Sequence, residues 1–324
     1  MSVLVYIENR EGEFKKQSFE LLSYGYNIAQ SLNCPLVAIS IGQISDDAFG
    51  PVARYGASKI ISYSDDKLKG VDNQVYTDVI CQTAEKEGAQ VVLLANTSTG
   101  KAIAPRISVR MKAGLASGVM EIPSSFEPFV VKRKVYNGGA LSNTTIKSAI
   151  KIITLNPNAF ELAENPCDVN IEKAEITVDG GLYNTNIIDV HKAEGKILLS
   201  EADIVVSGGR GMKSGDNWKP IEELAELLGA AIACSRPVSD EGWRPHEEHV
   251  GQTGKVIAPN LYFALGISGA IQHIAGVSSS KFIVAINKDH EAPVFETADY
   301  GIIGDVQEIL PRFIESIKKH KATL

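Results

Sequence analysis

The sequence predicts an α/β protein of two domains, each built on a mostly parallel, doubly wound sheet. Three observations carry this expectation. The chain has 324 residues, a length that favours two domains. Short apolar runs alternate with segments of helical period, the order that βαβ units require. Several of those runs end in glycine-bearing turns, the usual punctuation between strand and helix. Hydrophobic residues make up 44% and charged residues 22%, ordinary globular values that allow two sizeable cores.

In the first domain, residues 3–7 (VLVYI) are a buried parallel strand. Residues 18–32 place Phe19, Leu22, Tyr26, Ala29 and Leu32 at helical spacing. Strands follow at Leu36–Ile41 and Lys59–Tyr63, and a helix over 75–86 stops before Gly88. Residues 90–95 (QVVLLA) form the clearest strand, opening onto Asn96-Thr-Ser-Thr-Gly100 and a helix running to about Lys112. Ser98 or Thr99 is expected to cap that helix. Its basic residues Lys101, Arg106, Arg110 and Lys112 are expected on a solvated face. Beyond residue 118 a hairpin around Gly138-Gly139 and an extended run at 148–155 close the domain. Residues 156–185, polar and interrupted by Pro157, Pro166 and Gly180-Gly181, are expected to be irregular. The predicted domains are 1–192 and 193–324, with the linker near residues 192–196.

The second domain opens with a strand at 202–206, the turn Ser207-Gly-Gly-Arg-Gly211, and a helix over 220–231 with Pro220 in its first turn. Short strands are expected at Ala231–Cys234, 256–258, 282–286 and Tyr300–Ile303. Residues 270–275 form a short helix. Asp305 and Glu308 have capping-box spacing for a final helix that contains Pro311.

A net charge of −7 leaves no overall basic excess for nucleic acid, so none is expected as a partner. Cys34, Cys81, Cys167 and Cys234 form no CxxC pair and no zinc spacing with histidine. They are expected to be free thiols, with no metal site. No segment has the apolar length of a membrane span, and no leader precedes the first strand, so a cytoplasmic location without membrane insertion is expected.

The functional signal is concentrated in residues 250–273. Gly251-Gln-Thr-Gly254 and Gly266-Ile-Ser-Gly269 flank an apolar run, with Gln252, Thr253, Ser268 and Gln272 among the glycines and His273 at the end. Glycine lets a backbone approach a ligand closely. A helix start after Gly269 offers N–H groups to an anion. Each turn taken singly is as well explained by ordinary chain reversal. The dinucleotide fingerprint fails after Gly209-Arg-Gly211, where Ser214 stands in place of the third glycine, and Val256 breaks a P-loop at Lys255. Arg236, fixed between Ser235 and Pro237, is either a surface ion pair or a planar cation facing a ligand. His273 is either a satisfied structural histidine or a residue that reaches a cofactor ring. No catalytic triad or carboxylate pair emerges, so the site looks like cofactor housing.

These motifs together resemble the α subunit of the electron transfer flavoproteins. The matching stretches are Ser207-Gly-Gly-Arg-Gly-Met-Lys213, Cys234-Ser-Arg236, Val250-Gly-Gln-Thr-Gly-Lys255, Gly266-Ile-Ser-Gly-Ala-Ile-Gln-His-Ile-Ala-Gly276, Ile283-Val-Ala-Ile-Asn-Lys288, Ala292-Pro-Val-Phe295 and Ala298-Asp-Tyr-Gly301. The first domain matches more loosely, at Tyr136-Asn-Gly-Gly-Ala-Leu141. The resemblance implies a nucleotide-hydrolase-like, Rossmann-type N-terminal domain packing on a β subunit, and a flavodoxin- or Rossmann-like C-terminal domain that binds FAD. It implies contacts of Arg210 and Ser235 with the FAD phosphates and neighbouring groups. Val250, Gly251, Gln252 and Thr253 would lie along the flavin. Ser268, Gly269, Ala270, Ile271, Gln272 and His273 would cradle the pyrophosphate, with His273 near the ring. Asn287, Asp305 and Val306 would hold the adenosine portion, and Arg236 would sit over the isoalloxazine, stabilising reduced flavin. The implied function is single-electron transfer from flavin dehydrogenases, such as acyl-CoA dehydrogenases in fatty acid β-oxidation, to a membrane quinone oxidoreductase, with AMP on the β subunit. The alternatives are an electron-bifurcating, NADH-linked relative, a non-redox nucleotide-binding module and, weakest, a pyridine-nucleotide dehydrogenase.

Overall fold

The computed structural model describes residues 1–65, 68, 70–136, 139–175 and 197–322. The linker expected near residues 192–196 lies outside them. Two compact units emerge, residues 1–135 with 140–191 and residues 136–139 with 192–324.

In the first unit the elements run β1 (Ser2–Tyr6), β2 (Asn9–Arg10), β3 (Glu13–Phe14), α1 (Lys16–Ser31), β4 (Leu36–Ile41), β5 (Lys59–Tyr63), α2 (Asn73–Lys86), β6 (Ala89–Ala95), α3 (Ser98–Arg110), β7 (Gly114–Val119), β8 (Ser125–Phe126), β9 (Phe129–Val135), β10 (Ala140–Ile146), β11 (Lys151–Leu155) and β12 (Asn170–Lys173). The sheet order is β10-β9-β7-β11-β6-β1-β4-β5-β12, with β8 on β9. Strands β7, β11, β6, β1, β4, β5 and β12 are joined in parallel. The β9–β10 hairpin is the antiparallel addition at one edge. Val3 and Val5 pack with Leu21, Tyr24 and Ile28 of α1 on one face. Leu4 packs with Val79, Ile80 and Ile103 of α2 and α3 on the other. Alternate residues of a strand thus supply two cores, which is why these runs are continuously apolar.

Two expectations for this unit are corrected. The cap of α3 is Thr97, whose Oγ1 accepts from Gly100 N at 3.0 Å, rather than Ser98 or Thr99. Thr97 alone keeps the extended conformation that a cap needs. Residues 170–173, expected to be irregular, form strand β12 in parallel with β5. The basic residues of α3 are exposed as expected, and Arg110 pairs with Asp78 on α2.

The second unit contains β13 (Ile204–Gly208), α4 (Lys219–Leu228), β14 (Ala231–Cys234), α5 (Arg236–Asp240), β15 (Leu261–Leu265), α6 (Ile271–Val277), β16 (Phe282–Asn287), α7 (Val294–Thr297), β17 (Tyr300–Ile303) and α8 (Val306–Lys321). Its five strands lie β14-β13-β15-β16-β17, all parallel. One face packs Val206, Phe263 and Leu265 against Ile221 and Leu224 of α4 and Leu310 and Ile314 of α8. The other packs Val205, Tyr262 and Ala264 against Val277 and Val294. Helix α4 ends at Leu228, short of the expected 231, because Gly229 takes a left-handed φ of +62° and closes the last turn. Helix α8 runs through Pro311 with Asp305 as its cap.

The strand expected at 256–258 is absent. Val256 is 54% exposed, Pro259 lacks an amide donor, and the central strand β15 lies five residues on. Its Tyr262, Ala264 and Leu265 are fully buried, so burial decides against the shorter apolar run.

Candidate functional site

Strand order places the site. In sequence order within the unit the sheet is 2-1-3-4-5, so connections leave β13 and β15 in opposite directions and a crevice opens beyond their carboxyl ends. A cleft of about 780 Å³ lies there, within the range of a cofactor pocket. Every strand contributes the turn that follows it: Arg210 after β13, Ser235 and Arg236 after β14, Ile267 and Ser268 after β15, Asn287 and Lys288 after β16, Asp305 and Val306 after β17. His249, Val250, Gly251 and Thr253 supply the remaining wall, with Ala270, Gln272 and His273.

Backbone hydrogen bonds stitch these turns together beyond the strands. Gly209 N donates to Leu265 O, Gly211 N to Gly266 O, Ser235 N to Gly208 O, Val250 N to Cys234 O and Gly266 N to Ile286 O, all at 2.8–3.0 Å. Two glycine contacts set the separation of the walls. A Cβ on Gly211 would lie 2.6 Å from Gly266 Cα, and one on Gly276 of α6 would lie 2.4 Å from Gly251 Cα. No side chain fits at either place.

Thirteen of the sixteen predicted residues line the cleft: Arg210, Ser235, Arg236, Val250, Gly251, Thr253, Ser268, Ala270, Gln272, His273, Asn287, Asp305 and Val306. The other three, Gln252, Gly269 and Ile271, do not. Gln252 is exposed, and its N–H is spent on Gln272 O at 2.7 Å. Gly269 has φ +85° and packs against the Val294 backbone. The Ile271 side chain is 77% exposed. The prediction did not include Lys213, Pro237, His249, Ile267 or Lys288. Lys213 and Lys288 stood inside the recognised motifs, and their charge was the available signal.

Electrostatically the lining opposes the chain as a whole. Four cations, Arg210, Lys213, Arg236 and Lys288, face one carboxylate, Asp305, in a protein of net charge −7. That donor set fits a polyanion. Among the described residues, the Arg210 guanidinium and the Thr253 and Ser268 hydroxyls have no protein partner, so they are available to a ligand. Arg236 Nε contacts Asp240 Oδ2 at 3.3 Å with both side chains more than half exposed. Such a pair is worth about 0.5 kcal/mol, too little to keep the guanidinium from a bound anion or ring.

Other predicted polar groups join one turn to another. Asn287 Nδ2 donates to Ile267 O at 2.8 Å and its Oδ1 accepts from Asp289 N at 3.0 Å. Asp305 Oδ1 caps α8 through Gln307 N at 2.9 Å, while Oδ2 pairs with Lys213 Nζ at 2.8 Å. The Lys213 ammonium, followed by the Gln307 amide, holds the Asp305 carboxyl below the usual range. His273 is 7% exposed, and its Nε2 lies 2.7 Å from Tyr262 Oη. Burial pushes its pKa down to about 4, against the Val250 backbone, which pulls it up. The ring is therefore neutral at pH 7 and held from behind by Tyr262 of β15, and it forms part of the cleft wall.

Comparison with known proteins agrees with this geometry. The electron transfer flavoprotein domain family matches residues 3–179, and the electron transfer flavoprotein FAD-binding domain family matches residues 198–278. The chain is 37% identical over 319 residues to the electron transfer flavoprotein subunit alpha of Bacillus subtilis (strain 168), covering 98% of this chain and 97% of that one. It is 34% identical to Protein FixB of Clostridium saccharobutylicum, covering 98% and 96%. With the subunit alpha of Mycobacterium tuberculosis (strain CDC 1551 / Oshkosh) it shares 37% identity, covering 98% and 99%. No helix among the described residues is long and apolar enough to cross a membrane. A parallel-sheet unit with a cationic cleft at its switch point, much of it within the residues matched by the FAD-binding domain family, thus sits in a chain that matches these subunits over 98% of its length: the protein belongs to the electron transfer flavoprotein α-subunit family.

Proposed function

We propose that this chain is the FAD-holding subunit of a heterodimeric carrier. In this role it accepts single electrons from flavin dehydrogenases, such as acyl-CoA dehydrogenases, and delivers them to a membrane quinone oxidoreductase. The observation that carries the proposal is the cleft itself, with four cations against one carboxylate at the ends of five parallel strands. The flavin, when bound, supplies the redox chemistry.

The residues of the chain bind and orient. Arg210 and the turn from Ser268 to the start of α6 receive the pyrophosphate. The Asn287 and Asp305 turns, with Val306, hold the adenosine end. Thr253 offers its hydroxyl to the ring system, and Arg236 opposes negative charge that accumulates on it. Residues 1–192 serve as the base on a β subunit, which holds AMP, and residues 193–324 carry the cofactor.

The test is anaerobic mixing of the purified heterodimer with a catalytic amount of an acyl-CoA dehydrogenase and excess acyl-CoA. The proposal expects bleaching of the flavin absorption of the heterodimer in proportion to its content. An unbleached flavin under these conditions would reject this donor class. One flavin per heterodimer and no reaction with NADH are expected of a simple carrier, and two flavins with NADH reduction of a bifurcating one.

A further inference from the structure

His249 stands immediately before the cofactor turn, and no predicted contact uses it. It lines the cleft, yet only 3% of the residue is exposed. Its main chain is fixed on both sides: His249 N donates to His246 O at 3.1 Å, and Lys255 N donates to His249 O at 3.0 Å. The ring lies under the turn. Its Nδ1 is 2.8 Å from the point that a Cβ on Gly254 would occupy, and Nε2 is 3.5 Å from the corresponding point on Gly251. Glycine at 254 is what admits the imidazole, and Nε2 lies on the side of Gly251, whose backbone lines the cleft.

Among the described residues no group hydrogen-bonds either ring nitrogen, and Nδ1 is buried. A polar ring in this state is costly as mere filling, because apolar side chains pack without that penalty. The surroundings decide its form. His246 faces it with ring centroids 5.7 Å apart, Cys234 is bridged to it through the backbone, and Arg236, Asp240 and His273 interact with it electrostatically. Burial first, then His246 and Arg236, lower its pKa against the opposing effect of Asp240, so the ring is neutral and carries one N–H. A buried donor without a partner is rarer than a buried acceptor without one. The proton therefore belongs on Nε2, toward Gly251, and Nδ1 is left as the lone acceptor.

We infer that His249 is a further cofactor-contacting residue, donating Nε2–H to an acceptor atom of the flavin ring system bound in the cleft. This rests on the proposed binding of FAD. The contact supplies the partner that the protein withholds, and it fixes the position of the ring beside the 250–254 turn.

The experiment compares His249→Leu and His249→Gln with wild type in the full chain, isolated with any subunit that accompanies it. FAD affinity is read by flavin fluorescence quenching and the ring environment by the visible spectrum. The Leu variant, which lacks a donor, is expected to bind FAD about tenfold more weakly with a shifted visible band. The Gln variant, which keeps an N–H donor, is expected to restore most of both. In wild type, the ¹⁵N signals of His249 should report the Nε2–H tautomer and move when FAD is added, which decides the matter even if the Leu variant fails to fold. Wild-type affinity and spectrum in both variants, with unmoved His249 signals, would overturn the inference alone. Equal loss in both variants would also overturn it, in favour of a packing role. Absence of FAD uptake by wild type would overturn the FAD proposal and this inference with it.

Discussion

Gly276→Ala tests a close approach of backbone to backbone in the site. A Cβ at this position would meet only backbone, at 2.4 Å from Gly251 Cα, 2.7 Å from its N and 2.8 Å from its C. No rotamer change relieves that contact, so the turn bearing Val250 and Thr253 must retreat by about 1 Å to reach ordinary separation. Two effects compete. Alanine is favoured over glycine in a helix by about 1 kcal/mol, whereas overpacking costs about 1–3 kcal/mol. Because the opposing atoms are backbone on both sides, the cost falls in the upper part of that range, and the net loss is about 1–2 kcal/mol. For a unit of this size the melting midpoint should fall by about 4–8 °C. FAD affinity should fall with it, since the displaced turn forms one wall of the cleft. Gly229→Ala is the control. It also breaks a favourable conformation, with φ +62°, but nothing lies within 4 Å of its added carbon, so it should lower the midpoint without altering FAD binding. Melting followed by circular dichroism, together with FAD titration, provides both readouts. A Gly276→Ala protein with unchanged or raised midpoint and unchanged affinity would refute the proposed packing of α6 on the turn.

Three further outcomes follow from the same geometry. The pKa of His273, depressed to about 4 from an unfolded value near 6.5, contributes stability in full above pH 6.5. About 3 kcal/mol of it is lost as the pH falls to about 4; His273→Gln should flatten the pH dependence of melting between these values, and an unchanged profile would contradict the neutral buried ring. Arg244 grips Glu248 through two hydrogen bonds of 2.6 and 2.9 Å and lies over the Trp218 ring, so Arg244→Leu should cost about 2–3 kcal/mol in urea unfolding by taking a two-pronged cationic partner from that largely buried carboxylate; a loss below 0.5 kcal/mol, the range of ordinary surface substitutions, would refute it. Arg236→Ala should lower the flavin midpoint potential by about 40 mV, equivalent to about 1 kcal/mol for one charge in a wet site, and an unchanged potential in spectroelectrochemical titration would exclude this arginine from the ring.

The order of the elements was legible because buried parallel strands are apolar on both faces and carry their signal without context. Leu36–Ile41 and Lys59–Tyr63 are of this kind, and both have the expected bounds. Strand β12 was invisible for the opposite reason. Asn170, Ile171 and Lys173 are exposed, and only pairing with β5 makes the segment a strand. The misplaced strand at 256–258 shows the limit of counting apolar residues, since Val256 and Leu265 look alike until burial is known. In the site, the turns could be read because glycine and proline mark strand ends. Distances across the fold could not. The Lys213–Asp305 pair joins residues 92 positions apart, and the role of Asn287 in tying down Ile267 depends on β15 and β16 being neighbours. His249 carried no local mark at all, because its significance lies in being buried without a partner.

The central claim, that the cleft at the β13–β15 switch point holds FAD, is tested most directly by titrating the flavin-stripped heterodimer with FAD while recording the visible spectrum, in wild type and in Gly276→Ala. Saturation at one FAD per copy of this chain, with affinity lost in the variant, is the predicted result. No saturable uptake, or uptake indifferent to Gly276→Ala, would contradict it.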